Sequence, residues 1–168
     1  MKQIAVIGFM GSGKTRVGKR LSKDLGIPFT DLDKYVSSRM KMPVAEIYKR
    51  FGDPYFRAME TYCMGELAAD QKDKVISLSA AFPVQKQNEQ IMQQLDTVIY
   101  LEASPEVIMK RLEGMPDHPL NRTGCTEEKI IKMMELSVPY YEKYATIRVV
   151  TGVKTFDDLI AEIMEKIG

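Results

Sequence analysis

The apolar run "IAVI" ends at Ile7 and passes directly into "GFMGSGKT", Gly8 to Thr15. Gly8, Gly13, Lys14 and Thr15 satisfy G-x-x-x-x-G-K-[ST], with strand-like sequence before and helical spacing after. From average residue usage, a chance match in a chain this long arises at roughly the one per cent level, before that context is required. Glycines let the backbone turn so that successive N–H groups point inward, at the positive end of the next helix, where a polyphosphate can sit. Gly8, Gly11, Ser12 and Gly13 are the expected cradle. Lys14 is placed to reach the β- and γ-phosphates, and the Thr15 hydroxyl to ligate Mg²⁺. The loop therefore points to ATP with Mg²⁺; a tight turn with an incidental lysine is the competing reading.

The loop also predicts what surrounds it. Strand-type runs recur at residues 3–8, 28–32, 74–79, 96–101 and 146–150, with longer helical spacings between them. Such alternation implies an α/β fold, a parallel sheet covered by helices. The first helix is expected to end at Leu25 before Gly26; others span about 34–40, 44–51, 54–70, 83–95 and 105–112. "TFDD" at 155–158 reads as a capping box opening a last helix, whose stripe of Phe156, Leu159, Ile160, Ile163, Met164 and Ile167 reads as core. The segment 113–124, rich in glycine, proline and polar residues, reads as a long surface loop and a candidate lid.

Composition narrows the partners. The 168 residues suit one domain, and 24 basic against 23 acidic side chains argue against broad nucleic-acid binding, so any anion site is local. No apolar run is long enough to cross a bilayer, and the chain enters a strand at once; no membrane partner, no leader and a cytoplasmic location are the expectations. Cys63, Cys125 and the single histidine, His118, are too few and too scattered for a zinc cluster. The 12 methionines read as fillers of core gaps.

Binding ATP does not separate a kinase from an ATPase, a switch or a binding module; an acceptor site is needed. Ligands of a doubly wound sheet gather at the carboxyl ends of strands. After the second strand comes "DLD", where one of Asp31 and Asp33 can support the metal through water and the other can orient an attacking hydroxyl; a helix N-cap is the competing role for Asp33. Further on, Arg57 is followed three residues later by Glu60, close enough to hold its guanidinium.

Taken together, "GFMGSGKT", "VGKRL", "LGIPFTDLDKYV", "VAEIY" and "FRAMET" make the chain similar to the shikimate kinase family along nearly its whole length. The resemblance implies transfer of the ATP γ-phosphate to the 3-hydroxyl of shikimate. It further implies a five-stranded parallel sheet of order 2-3-1-4-5, a substrate-binding helical part at about 33–60 and a lid at about 113–124 in a single domain, with a monomer expected. Matched by position, Lys14, Asp33 and Arg111 are catalytic, Thr15 and Asp31 serve the metal, and Arg57 holds the substrate carboxylate. Arg111 faces the nucleotide near the lid, and Val44, Tyr48 and Phe56 line the ring pocket.

Departures from the family pattern fall in the acceptor region. Ser79, Ala80 and Ala81 stand where the family has three glycines, His118 where it has a lid arginine, and Ser137 where it has an arginine that grips the substrate carboxylate. Alanine disfavours positive φ, and serine cannot replace a bidentate cation. Arg122 is a candidate replacement for the lid cation. Two further readings stay open: a kinase of a different small hydroxyl compound, and a non-catalytic nucleotide-binding regulatory module.

Overall fold

The computed structural model describes residues 2–122 and 124–168, with the side chains of Pro119 and Arg122 excepted. Its centre is β1 (Gln3–Gly8), buried along its whole length. Alternate side chains of this strand feed two cores: Ile4 and Val6 point into one, Ala5 and Ile7 into the other. Such a strand has no solvent face, and so needs parallel neighbours with helices on both sides. The neighbours are β3 (Lys74–Ser77), with Ala5 opposite Ile76, and β4 (Thr97–Glu102), with Ala5 opposite Val98. With β2 (Phe29–Asp31) and β5 (Ile147–Val150) outside them, the parallel order is β2-β3-β1-β4-β5.

On one face α1 (Lys14–Leu25) and α9 (Phe156–Ile167) cover Ile4, Val6, Val75 and Ile99. The last helix starts as its sequence predicts, the Thr155 hydroxyl accepting from the Asp158 amide at 3.1 Å. The other face carries the larger core, built from α2 (Leu32–Met40), α3 (Val44–Phe51), α4 (Asp53–Ala69), α6 (Pro105–Glu113) and α8 (Glu127–Tyr144). Between β1 and α1, Gly13 has φ 96°, a left-handed conformation that suits glycine and brings the chain into the helix.

Two predicted segments differ. The expected helix over 83–95 is instead two 3₁₀ turns, Phe82–Val84 and Lys86–Asn88, followed by the short α5 (Glu89–Gln93). Gln85 is extended between the turns, and the Asn88 side chain donates to the Phe82 carbonyl at 2.9 Å, competing with helical pairing. Within 113–124 the chain is more ordered than a loop, with α7 over Pro119–Arg122. The Asn121 amide donates to the carbonyls of Leu112 and Met115, tying this turn to the end of α6. The Arg122 side chain, named as a possible lid cation, lies outside the described residues. No helix among the described residues is long and apolar enough to cross a membrane.

Candidate active site

The carboxyl ends of β1, β2 and β3 meet at two adjoining cavities. One, of about 520 Å³, is lined by Gly11 to Val17 together with Arg111, Met115, His118, Thr151 and Phe156. The other, of about 700 Å³, is lined by Asp31, Asp33, Val44, Tyr48, Phe56, Arg57 and the residues from Ser77 to Ala81. Lys14 and Thr15 line both.

The first cavity has the features that a polyphosphate site requires. A Cβ on Gly8 would stand 2.7 Å from the Ser12 hydroxyl and 2.9 Å from the Leu101 carbonyl, so only glycine lets the loop fold this closely. The Ser12 hydroxyl is buried without a protein partner, an orphaned polar atom that an incoming phosphate oxygen satisfies. The Lys14 ammonium donates to the Gly8 and Phe9 carbonyls, 3.0 Å each, folded back over the loop it serves. Burial brings its pKa down to about 8, against the opposing charges of Asp33 and Asp31. Arg111 reaches the loop from α6, donating to the Gly11 carbonyl at 3.0 Å and the Thr151 hydroxyl at 2.8 Å.

At the shared wall the Thr15 hydroxyl donates to Asp31 at 3.2 Å. A hydroxyl and a carboxylate beside a phosphate loop are hard oxygen donors of the kind Mg²⁺ takes. Asp31 also caps α2, accepting from the Lys34 amide at 3.2 Å. The capping role that competed for Asp33 thus belongs to Asp31, and the Asp33 side chain is left to the second cavity.

Arg57 and Asp33 line that cavity, with Glu60 buried behind them. Arg57 on α4 donates to Glu60 at 2.7 Å and lies 3.3 Å from Asp53, and its guanidinium sits 5.5 Å from the Phe56 ring centroid. Glu60 is fully buried; one of its oxygens holds Arg57, and the other, like one oxygen of Asp33, has no conventional donor. Burial raises the Asp33 pKa to about 8, helped by its neighbour Glu60 and by Asp31, with Arg57 opposing. Asp33 and Glu60 are thus neighbouring buried carboxyl groups, a placement that disfavours charge on Asp33.

The departures from the family pattern occupy distinct places. Ser79, Ala80 and Ala81 line the second cavity and follow a path without positive φ; among the described residues only Lys41 and Gln71 combine positive φ with a side chain. The loop closes as a turn, Phe82 amide to Ser79 carbonyl at 3.2 Å, and is held from α8 by the buried Tyr141 hydroxyl, which donates to the Ala80 carbonyl at 2.7 Å. The Ser79 hydroxyl is buried without a partner. Ser137 does not line the cavity: its hydroxyl donates to Met133 within its own helix at 3.0 Å, and Met133 forms the wall instead. His118, expected among the acceptor residues, stands in the nucleotide-side cavity, its Nδ1 accepting from the Leu120 amide at 3.2 Å. Phe156 packs against the core as its stripe predicts and also lines the first cavity, beside Arg16, which carries no sequence signal of its own.

Comparisons with known proteins agree with this geometry. A family model described as shikimate kinase matches residues 10–168. A shikimate kinase of Dictyoglomus turgidum is 34% identical over 167 residues, spanning 98% of this chain and 96% of its own. Among solved structures, a shikimate kinase from Acinetobacter baumannii in complex with shikimate superposes with a TM-score of 0.89 at 27% identity, covering 99% of this chain and 93% of its own. One from Bacteroides thetaiotaomicron gives 0.86 at 25% identity, covering 99% and 98%. Matched in this way over nearly its whole length, the chain belongs to the shikimate kinase family, ATP-dependent phosphotransferases that act on an alcohol group.

Proposed function

We propose that this chain transfers the γ-phosphate of ATP to the 3-hydroxyl of shikimate, assisted by Mg²⁺. The observation that carries the reading is the shared wall: Lys14 and Thr15 line the polyphosphate cavity and also the cavity holding Asp33 and Arg57. A phosphoryl group held by the loop therefore faces an alcohol held opposite. Arg57 is the group for the acceptor's carboxylate, pre-positioned by Glu60, and the Tyr48 and Phe56 rings give the acceptor an apolar side. Asp33 orients the reacting hydroxyl, and its ionised form, which Arg57 favours and Glu60 opposes, takes the proton, a late event because phosphoryl transfer proceeds through a loose transition state. Lys14 stabilises charge on the transferring group, and Arg111 and His118 face the nucleotide from the far side. Thr15 and Asp31 would hold Mg²⁺, which when bound neutralises phosphate charge.

The test is an ATP-consumption assay over small hydroxyl compounds, shikimate among them. Turnover confined to shikimate supports the assignment. Turnover of an uncharged polyol instead would sink it, and nucleotide binding with no acceptor in the panel would favour a regulatory module.

A further inference from the structure

Asn88 lines neither cavity, yet its side chain is bonded to the two chain segments that wall the second one. It is 1% exposed and closes the second 3₁₀ turn, where its backbone amide donates to the Gln85 carbonyl at 3.0 Å. The side-chain nitrogen donates to the Phe82 carbonyl at 2.9 Å, and the side-chain oxygen accepts from the Thr61 hydroxyl at 2.6 Å. A buried amide is costly unless both its ends are answered, and here both are.

The direction of these bonds is fixed. The Phe82 carbonyl can only accept, so the nitrogen of the Asn88 amide must face it and the oxygen must face Thr61. The Thr61 hydroxyl also lies 3.1 Å from the Arg57 carbonyl, the usual local partner of a helical threonine. Its one proton cannot serve both, and the shorter contact, to Asn88, takes it.

Each end of this bridge abuts the acceptor cavity. Thr61 follows Glu60 directly on α4 and stands one turn after Arg57, while Phe82 follows Ala81 and its amide closes the turn onto the Ser79 carbonyl. From the other side Tyr141 holds the same loop at the Ala80 carbonyl. We propose that Asn88 is a positioning residue for the acceptor: through Thr61 and Phe82 it sets the separation between the Arg57 helix and the Ser79–Ala81 loop. The proposal rests on reading the second cavity as the shikimate site. With water excluded from the bridge, neither bond has a ready substitute, so losing one lets the walls drift apart and displaces the hydroxyl from the phosphoryl group.

Initial rates with shikimate, ATP titration by calorimetry and melting curves test this on the parent, Asn88→Ala, Thr61→Val, Thr61→Ser and the double variant Asn88→Ala with Thr61→Val, with rates taken well below each melting temperature. Asn88→Ala is expected to raise the shikimate KM by about tenfold or more and to leave the ATP dissociation constant unchanged. Thr61→Val shifts the KM the same way by less, Thr61→Ser restores the parent value, and the double variant is no worse than Asn88→Ala, because both changes cut one bridge. If Asn88→Ala does not fold, Thr61→Val and Thr61→Ser decide. A lower melting temperature with a parent-like shikimate KM in both Asn88→Ala and Thr61→Val marks a merely structural amide and overturns the proposal. Equal weakening of ATP overturns it too, since the loosening is then general. A parent that does not phosphorylate shikimate overturns the acceptor reading itself, and the proposal with it.

Discussion

The two cavities share a wall and handle charge in opposite ways. On the nucleotide side Arg16 and Arg111 line the cavity without carboxylate partners among the described residues. On the acceptor side each cation is already answered, Arg57 by Glu60 and Asp53, and Lys14 by the nearby Asp31. Surplus positive charge suits a polyanion held by field as much as by contact, whereas a balanced cavity selects by shape and by the geometry of a few bonds. One half should therefore tolerate changes of shape better than changes of charge, and the other half the reverse.

The largest expected effect strikes both halves. Lys14→Ala should lower kcat by about a hundredfold to a thousandfold, the usual cost of losing a positioned charge stabiliser. Parent-like turnover in a single-turnover assay would mean that the shared wall is not where transfer occurs. Arg57→Lys keeps the charge that buried Glu60 requires but loses the planar fork. It should raise the KM for shikimate by about tenfold to a hundredfold and leave the ATP dissociation constant unchanged. Equal losses for both substrates would erase the distinction between the cavities.

A gain sharpens the same contrast. Ser137 lies one helical turn from the Met133 wall, and Ser137→Arg should lower the shikimate KM by about tenfold if a second guanidinium reaches the carboxylate. An unchanged KM would show that the cavity works with Arg57 alone. The free, metal-depleted protein should also lose stability as pH rises from about 4 to about 8. In that window Asp33, with its pKa raised to about 8, keeps its proton when folded and releases it when unfolded. Asp33→Asn should flatten the slope in melting temperatures taken across the range. The smallest effect is that of Tyr141→Phe, which strips the Ala80 carbonyl of its donor. About 1 kcal/mol of stability and a modest rise in shikimate KM are expected, with nucleotide affinity untouched.

The nucleotide half was the more legible in sequence, because a phosphate loop is local: strand, glycines, lysine and helix are contiguous, and their order dictates their geometry. The Arg57–Glu60 pair was legible for the same reason, lying one helical turn apart. The miss at 83–95 came from Asn88, whose side chain bonds a carbonyl six residues earlier and overrides helical spacing. Arg16 on Phe156 joins residues 140 positions apart by number, so periodicity reveals the ring's packing against the core but not the guanidinium above it. The placement of His118 depends on how α7 folds back onto α6 through Asn121, a tertiary matter that spacing does not encode.

The common wall of Lys14 and Thr15 also bears on reaction order. Donor and acceptor placed face to face exchange the phosphoryl group in one displacement, with both present at once and without a stop on a protein nucleophile. Initial-rate lines at several fixed acceptor concentrations should then intersect rather than run parallel, and a γ-phosphate made chiral with oxygen isotopes should emerge inverted at phosphorus.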